Sequence, residues 1–161
     1  METSIRPLGA PGDLGWVVQA HGEDYAGEFG WDTSFEALVA RIVADYAAEA
    51  GDRAGAWIAE AGGERAGCVF CVPYDETTAQ LRILLVRPAA RGLGLGRALV
   101  ETCVEFARDR GYGSVRLWTN DVLAAARRIY LGAGFTLVDA EPHHSFGVDL
   151  VGQTYVLPLV R

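Results

Sequence analysis

One stretch alternates in a way that suits an anion: Arg91-Gly92-Leu93-Gly94-Leu95-Gly96. An apolar run over residues 81–86 precedes it, Pro88 ends that run, and an amphipathic segment begins near Arg97. Strand, glycine turn and helix together make a cradle. The first N–H groups of a helix have no intrahelical partner, and the dipole favours negative charge there. Glycines let the main chain approach a ligand closely. The natural guest is a diphosphate. The phosphate loop GxxxxGK[S/T] is absent, and the chain has no lysine, since all 14 of its basic residues are arginine. A dinucleotide fingerprint needs GxGxxG directly after a strand. Here Gly92, Gly94 and Gly96 give GxGxG, position 97 is arginine, and five residues separate Val86 from Gly92. Arg87, Arg91 and Arg97 can each bind phosphate bidentately.

Residues 91–96 resemble the R/Q-x-x-G-x-G/A signature of the GNAT superfamily of N-acetyltransferases, whose loop holds the pyrophosphate of acetyl-CoA. A second motif lies downstream. Ile129-Tyr130-Leu131-Gly132-Ala133-Gly134-Phe135 is similar to the superfamily's YxxxGF ending. The resemblance implies that the Tyr130 hydroxyl lies near the coenzyme sulfur and acts as general acid. The chemistry agrees: an amine attacks the thioester carbonyl, a thiolate leaves, and a phenol of pKa about 10 can protonate it in a dry site. The resemblance also implies that the strand end Leu84-Leu85-Val86 splays from its neighbour. Its free main-chain groups then meet the thioester carbonyl and the pantetheine amides. Ala126 matches a small residue that lets the coenzyme approach. The implied cofactor contacts are therefore Leu84, Leu85, Val86, Arg91, Gly92, Leu93, Gly94, Leu95, Gly96, Arg97, Asn120, Ala126 and Tyr130.

The sequence departs from the pattern twice. Many members carry a glutamate base at the start of the fourth strand, and alignment puts Gln80 there, which cannot take a proton. An asparagine is expected seven residues before the tyrosine, but that position is Leu123, and Asn120 lies three residues earlier. Asn120 is either a cofactor contact or a helix cap. The base is therefore open among His21, Glu23, His143 and His144. Histidine titrates in the useful range. His21 projects from the first helix, which the resemblance places on the acceptor side, so it is the catalytic candidate beside Tyr130. His21, Tyr25, Trp31, His143 and His144 are the expected acceptor contacts. Tyr25, Glu28 and Trp31 together would make an aromatic and acidic pocket.

The elements that must position these groups follow from periodicity. Residues 3–8 read as an edge strand, and Pro11-Gly12-Asp13 as a helix start. Leu14, Val17, Val18, His21 and Tyr25 share one helical stripe, with a break at Gly27, Gly30 and Trp31. Thr33-x-x-Glu36 reads as a capping box for a helix over residues 34–50. Residues 56–60, 65–72 and 78–86 form a meander around the Gly62-Gly63 turn. A helix over 97–110, a strand over 114–119, a helix over 122–131 capped by Asn120 or Asp121, and a strand over 135–139 follow. Residues 141–149 read as a polar loop before a last strand over 152–159. The order β-α-α-β-β-β-α-β-α-β-β predicts an α/β (α+β) fold: a mixed, mostly antiparallel twisted sheet of about seven strands with helices on both faces. It is also the order of the GNAT fold.

Composition bounds the rest. With 161 residues the expectation is a single N-acetyltransferase domain over 1–161. The net charge of −7 argues against nucleic acid and agrees with an amine partner. No apolar run has membrane-spanning length and the N-terminus has no signal pattern, so a cytoplasmic protein without a membrane partner is expected. Cys68 and Cys71 are three apart in a strand, so they face opposite sides, and no zinc set is completed. Buried free thiols, and no metal, are the expectation. Residues 118–135 and 141–155 are also similar to the acetyltransferase module fused behind winged-helix MarR-type regulators, although the chain has no room for the DNA-binding part. The expected activity is acetyl-CoA-dependent transfer to a primary amine of a small molecule or peptide, directly, in a ternary complex. A homodimer is a further possibility that the resemblance implies. The alternative, motivated by Gln80, is a catalytically silent acyl-CoA-binding regulatory module.

Overall fold

Period-two apolar runs in the middle of the chain give strands, and period-3.6 runs on either side give the helices that cover them. A computed structural model describes residues 1–159. The elements are β1 (Thr3–Pro7), α1 (Asp13–Phe29), α2 (Thr33–Glu49), β2 (Gly55–Ala61), β3 (Glu64–Pro73), β4 (Thr78–Val86), α3 (Leu95–Asp109), β5 (Ser114–Asn120), α4 (Ala124–Gly132), β6 (Thr136–Ser145) and β7 (Val148–Pro158). They build one seven-stranded sheet in the order β1-β2-β3-β4-β5-β7-β6. Every pairing is antiparallel except β4 with β5. The predicted mixed, mostly antiparallel sheet with helices on both faces is therefore the one observed.

Each face has its own core. Val17, Ala20, Val39 and Val43 of α1 and α2 meet Ile58, Cys68, Phe70 and Leu85. On the other face Leu99, Val100, Cys103 and Ala107 of α3 meet Val69, Cys71, Leu81, Val115 and Leu117. Cys68 and Cys71 thus lie in different cores, and all three cysteines are buried free thiols. α1 and α2 approach closely at Gly22, where a Cβ would stand 2.2 Å from the Glu36 carboxylate. Far from the parallel pair, Asp13 is fully buried and ties β1 and β3 to α1, accepting from Arg6, from Arg65 and from the Gly9 and Ala10 N–H groups.

The parallel pair positions the site. β4 and β5 pair only at Thr78↔Ser114, Ala79↔Val115 and Gln80↔Arg116. Beyond Gln80 the strands part, while β5 stays paired with β7 along its length. From Leu81 to Val86 the side of β4 facing β5 has no strand partner. The expected splay is present, at the carboxyl ends of a parallel pair, where sheets of this kind leave a crevice.

Several local expectations are corrected. Residues 141–149 are not a loop. β6 and β7 form a hairpin whose two-residue turn, Phe146-Gly147, has φ of 57° and 82°. Those are the signs of a type I′ turn, which matches strand twist. The hairpin escaped detection because β6 is an edge strand solvated on both faces, so it shows no apolar alternation. The α2 cap is Asp32, whose carboxylate accepts from the Ser34 N–H at 3.0 Å, and not Thr33. α1 runs through Gly27 and ends only at Gly30. α3 begins at Leu95, two residues before Arg97, and α4 begins at Ala124 with neither Asn120 nor Asp121 as its cap. Both side chains are already engaged, Asn120 by His143 and Asp121 by the Val151 N–H.

Among the described residues no helix is long and apolar enough to cross a membrane, and no three His, Cys, Asp or Glu residues gather as a metal site would require.

Candidate active site

Two cavities flank the splay. The larger, about 770 Å³, is a groove along the free edge of β4. Leu84, Leu85 and Val86 form one wall, Gly92, Gly94, Leu95, Gly96 and Arg97 the end, and Val122–Ala126, Arg128 and Ile129 the opposite wall. Gly92 and Gly94 have φ of 84° and 77°, the left-handed region that suits glycine, and a Cβ at either would point into open space. Gly94 is the N-cap of α3 and offers no side chain, so the first N–H groups of the helix are left for a ligand. Gly96 acts through packing instead. A Cβ there would lie 2.6 Å from Ile129 Cδ1, so its absence lets α4 close on α3. The groove end therefore has the donors and dipole that an anion requires.

The arginines divide. Arg97 and Arg128 line the groove. Arg91 also lines it, but its guanidinium pairs with Glu28 of α1. Arg87 is held by Asp24 at 2.9 Å and Glu23 at 3.6 Å, and does not line the groove. Leu93 is exposed and lies outside the groove wall. Ala126 lies in the wall, as expected.

The smaller cavity, about 130 Å³, lies between α1–α2, β4 and β5. His21, Tyr25, Trp31, Phe35, Trp118 and Phe146 give it aromatic walls, and Gln80, Arg82, Asn120 and Tyr130 supply polar groups. Phe35 stacks on Tyr25 at 4.7 Å and meets Trp31 edge-on at 4.8 Å. The β6–β7 turn brings Phe146 to 4.9 Å from Trp31, and the Asp32 N–H donates to its carbonyl at 3.0 Å. Trp118 is half-exposed at the wall, and Gly152 leaves its ring room, since a Cβ there would lie 2.7 Å away. Tyr25, Leu84 and Leu123 line both cavities, so the two spaces meet there.

The polar groups differ sharply in state. His21 is fully buried, and its Nδ1 lies 2.7 Å from the Val17 carbonyl, to which it donates. Burial lowers its pKa to about 4, so the ring is neutral and Nε2 carries a lone pair with no partner among the described residues. Tyr130 is buried between Phe135 and Tyr155, with ring centroids 5.9 and 6.3 Å away. Burial, and secondarily the nearby Tyr25, raises its phenol well above the ordinary range. Burial raises Tyr25 likewise. Asn120 is buried, and its Oδ1 accepts from His143 Nε2 at 2.7 Å while Ser145 Oγ lies 2.9 Å from Nδ1. His143 thus stands behind Asn120, whereas His144, next along the strand, pairs in solvent with Asp149.

Glu28 lines the groove and not the aromatic cavity, so the acidic half of the expected acceptor pocket is not there. Sequence reasoning missed Phe35, Trp118 and Phe146 as walls, Arg82, and above all Ile83. Ile83 sits where two residues of β4 oppose one of β3, with φ of 45°. A β-branched residue in that region is strained by about 1–3 kcal/mol, and such strain gathers at functional sites. The bulge lies three residues beyond the last β4–β5 pair, immediately before Leu84. No residue type announced it.

Residues 18–135 match the model of the acetyltransferase (GNAT) family. Over 102 residues the chain is 38% identical to N-acetyltransferase 8B of Rattus norvegicus, covering 60% of this chain and 45% of that one. It is 35% identical over 117 residues to the rat N-acetyltransferase family 8 member 2, covering 65% and 50%. The chain thus spans about half the length of these curated relatives. In fold it is similar to yncA of Salmonella typhimurium, solved with its cofactor acetyl-CoA: TM-score 0.80, 21% identity, 98% and 94% of the two chains covered. It is also similar to the ribosomal-protein-S18-alanine N-acetyltransferase of Escherichia coli: TM-score 0.71, 23% identity, with the same coverage. With its glycine cradle, splayed β4 and matched motifs in place, the chain belongs to the acetyltransferase (GNAT) family.

Proposed function

We propose that this chain is an acetyl-CoA-dependent N-acetyltransferase acting on a primary amine by direct transfer in a ternary complex, with residues 1–161 working as one domain. The observation that carries the reading is the meeting of two cavities at Leu84, Tyr25 and Leu123, beside an unpaired stretch of β4. One cavity suits a diphosphate and a narrow arm, and the other suits an apolar amine.

In this reading the N–H groups at the start of α3, with Arg97 and Arg128, hold the pyrophosphate, and β4 from Leu84 to Val86 meets the pantetheine amides. Acetyl-CoA supplies an acyl group already activated as a thioester, so the protein needs no covalent intermediate. Free β4 main-chain groups serve as the preorganised donor for charge developing on the carbonyl oxygen. The amine nitrogen bonds to the acetyl carbon, the carbon–sulfur bond breaks, and the sulfur leaves with the electron pair. Tyr130 gives its proton to that sulfur. The proton lost by the attacking nitrogen returns through solvent to the phenolate.

His21 does not serve as the base for an alkylammonium. A ring of pKa about 4 is more than six units weaker than an amine of pKa about 10.4. The acceptor arrives as the neutral amine instead, and His21, with its Nε2 buried, helps to shape the cavity wall. Asn120, fixed by His143, is a positioning group on the same wall, and Gln80 replaces a carboxylate without basic function.

Calorimetric titration with acetyl-CoA, followed by thiol release with a panel of amines, tests the reading. Saturable heat and amine-dependent release are expected. Absence of both heat and thermal stabilisation overturns it. Tight binding without release on any amine would make the chain a binding module.

A further inference from the structure

Among the described residues the aromatic cavity contains one charged side chain, and it is a cation. Alternation along β4 puts Ala79 and Leu81 in the core under α3, so Gln80 and Arg82 face α2 and the cavity. Arg82 is half-buried there, and its register partner Phe70 packs on Tyr46 of α2. Only Asp45 on α2 acts on it by charge, without an ion pair or hydrogen bond to Arg82 among the described residues. The carboxylates nearest the junction are spent elsewhere: Glu28 on Arg91, and Asp24 on Arg87. A half-desolvated guanidinium with five N–H donors and no carboxylate in hydrogen-bond contact among the described residues, in the wall of a cavity lined mostly by aromatic and aliphatic side chains, calls for an anion. Partial burial lowers its pKa slightly and still leaves it charged.

We propose that the acceptor is a free amino acid with an apolar or aromatic side chain, its carboxylate held by Arg82 and its amine presented at the Leu84 junction. The inference rests on the transferase reading and adds the acceptor class to it. The aromatic walls take the side chain. A cavity of about 130 Å³ matches a group the size of a side chain. A peptide N-terminus carries an amide where this site offers a cation, and a simple alkylamine leaves Arg82 unpaired. An acidic amino acid would put a second carboxylate against apolar rings.

The test compares amines that differ only in the anion. Thiol release is measured with phenylalanine, phenylalaninamide and phenethylamine, and with the corresponding leucine, tryptophan and methionine sets. The expected result is a kcat/KM at least tenfold higher for the free amino acid than for its amide or decarboxylated partner in at least one set. In Arg82→Gln that preference collapses towards one, mainly through KM, while Arg82→Lys restores part of it and acetyl-CoA binding by calorimetry is unchanged. Equal rates within every set, or a preference that survives Arg82→Gln, overturn the inference but leave the transferase reading standing. Preference for the amides would point to peptide N-termini and overturn it too. Failure to bind acetyl-CoA removes both, whereas binding with no turnover on any of these sets overturns the inference alone and leaves the transferase reading to the wider amine panel. A thermal midpoint of Arg82→Gln equal to wild type separates lost recognition from misfolding.

Discussion

Replacing Tyr130 by phenylalanine removes one oxygen and keeps the ring. The neighbours that hold it, Phe135 and Tyr155, meet it ring to ring in tilted contacts that the substitution keeps. Among the described residues no group hydrogen-bonds to the hydroxyl, so its loss leaves no orphaned partner, and folding stability should change by less than about 0.5 kcal/mol. The proton is what disappears. Burial raises the phenol well above its ordinary value, which keeps the wild-type group protonated at any working pH but weakens it as an acid, so the transfer relies on the same dry site making the leaving thiolate more basic. General acids contribute roughly 10²–10⁴ in rate. A thiol of pKa about 8.5 is a fair leaving group even as the anion, so the lower end applies. The expected loss is about 100-fold in kcat, or about 2.7 kcal/mol of barrier. The assay is thiol release at saturating acetyl-CoA, run beside calorimetry on the donor and a thermal melt. Donor affinity should move by less than about threefold, or ~0.7 kcal/mol. Wild-type kcat in Tyr130→Phe would refute the general-acid role. A midpoint lowered by more than about 4 °C would show that the oxygen serves the fold instead.

Three further perturbations follow from burial and close approach. His21 titrates near 4 when folded and near 6.5 when unfolded, so between those values the unfolded chain binds the extra proton. Stability therefore rises with pH across that window and is lost on acidification through it, by up to about 3 kcal/mol; urea midpoints of wild type and His21→Gln should diverge between pH 7 and 4.5, and parallel curves would count against a buried neutral ring. Asp13→Asn leaves Arg6 and Arg65 facing a neutral amide and should cost about 3 kcal/mol at pH 7, read by urea unfolding. The arginines hold the Asp13 carboxyl far below the usual range, so this contribution is complete above about pH 4 and is lost only as pH falls further. Gly67→Ala places a Cβ 2.6 Å from the Leu85 carbonyl oxygen, a backbone atom that cannot yield without moving β4. About 1–3 kcal/mol of stability should be lost together with acetyl-CoA affinity, and a variant that keeps both would show that the free strand edge tolerates displacement.

Much of the fold and half of the site are legible in the residues alone. The glycine loop, the Tyr130 motif and the element order are local patterns, and local patterns survive into the fold. Cys68 and Cys71 could be assigned to opposite faces because a strand has a period of two. What was not legible depends on who faces whom. Ile83 looks like any strand residue, yet it carries a bulge in the unpaired half of β4, beside the junction of the two cavities. Glu28 looks like a pocket acid beside Trp31, but helical geometry points it at Arg91 instead. Residues 141–149 read as a loop because an edge strand exposed on both faces has no reason to alternate, although Phe146-Gly147 was a turn signal in plain view. Arg82 carried no signal at all: an arginine in a strand is ordinary until its neighbours turn out to be rings.

Among the described residues no carboxylate lines the aromatic cavity, and this has a kinetic consequence that separates the site from one with its own base. If Gln80 and a neutral His21 leave proton removal to solvent, the enzyme does not set the pH at which the reaction runs; the acceptor does. The logarithm of kcat/KM should then rise with unit slope and level off at the amine's own pKa. For an α-amine beside an amide, as in phenylalaninamide, that break lies at about 8, for an alkylamine at about 10.4, and for a free amino acid between the two. Two acceptors that differ in basicity should give two breaks, separated by the difference between their pKa values. A single break, fixed for every acceptor, would instead belong to the protein. The solvent route would then have to be abandoned.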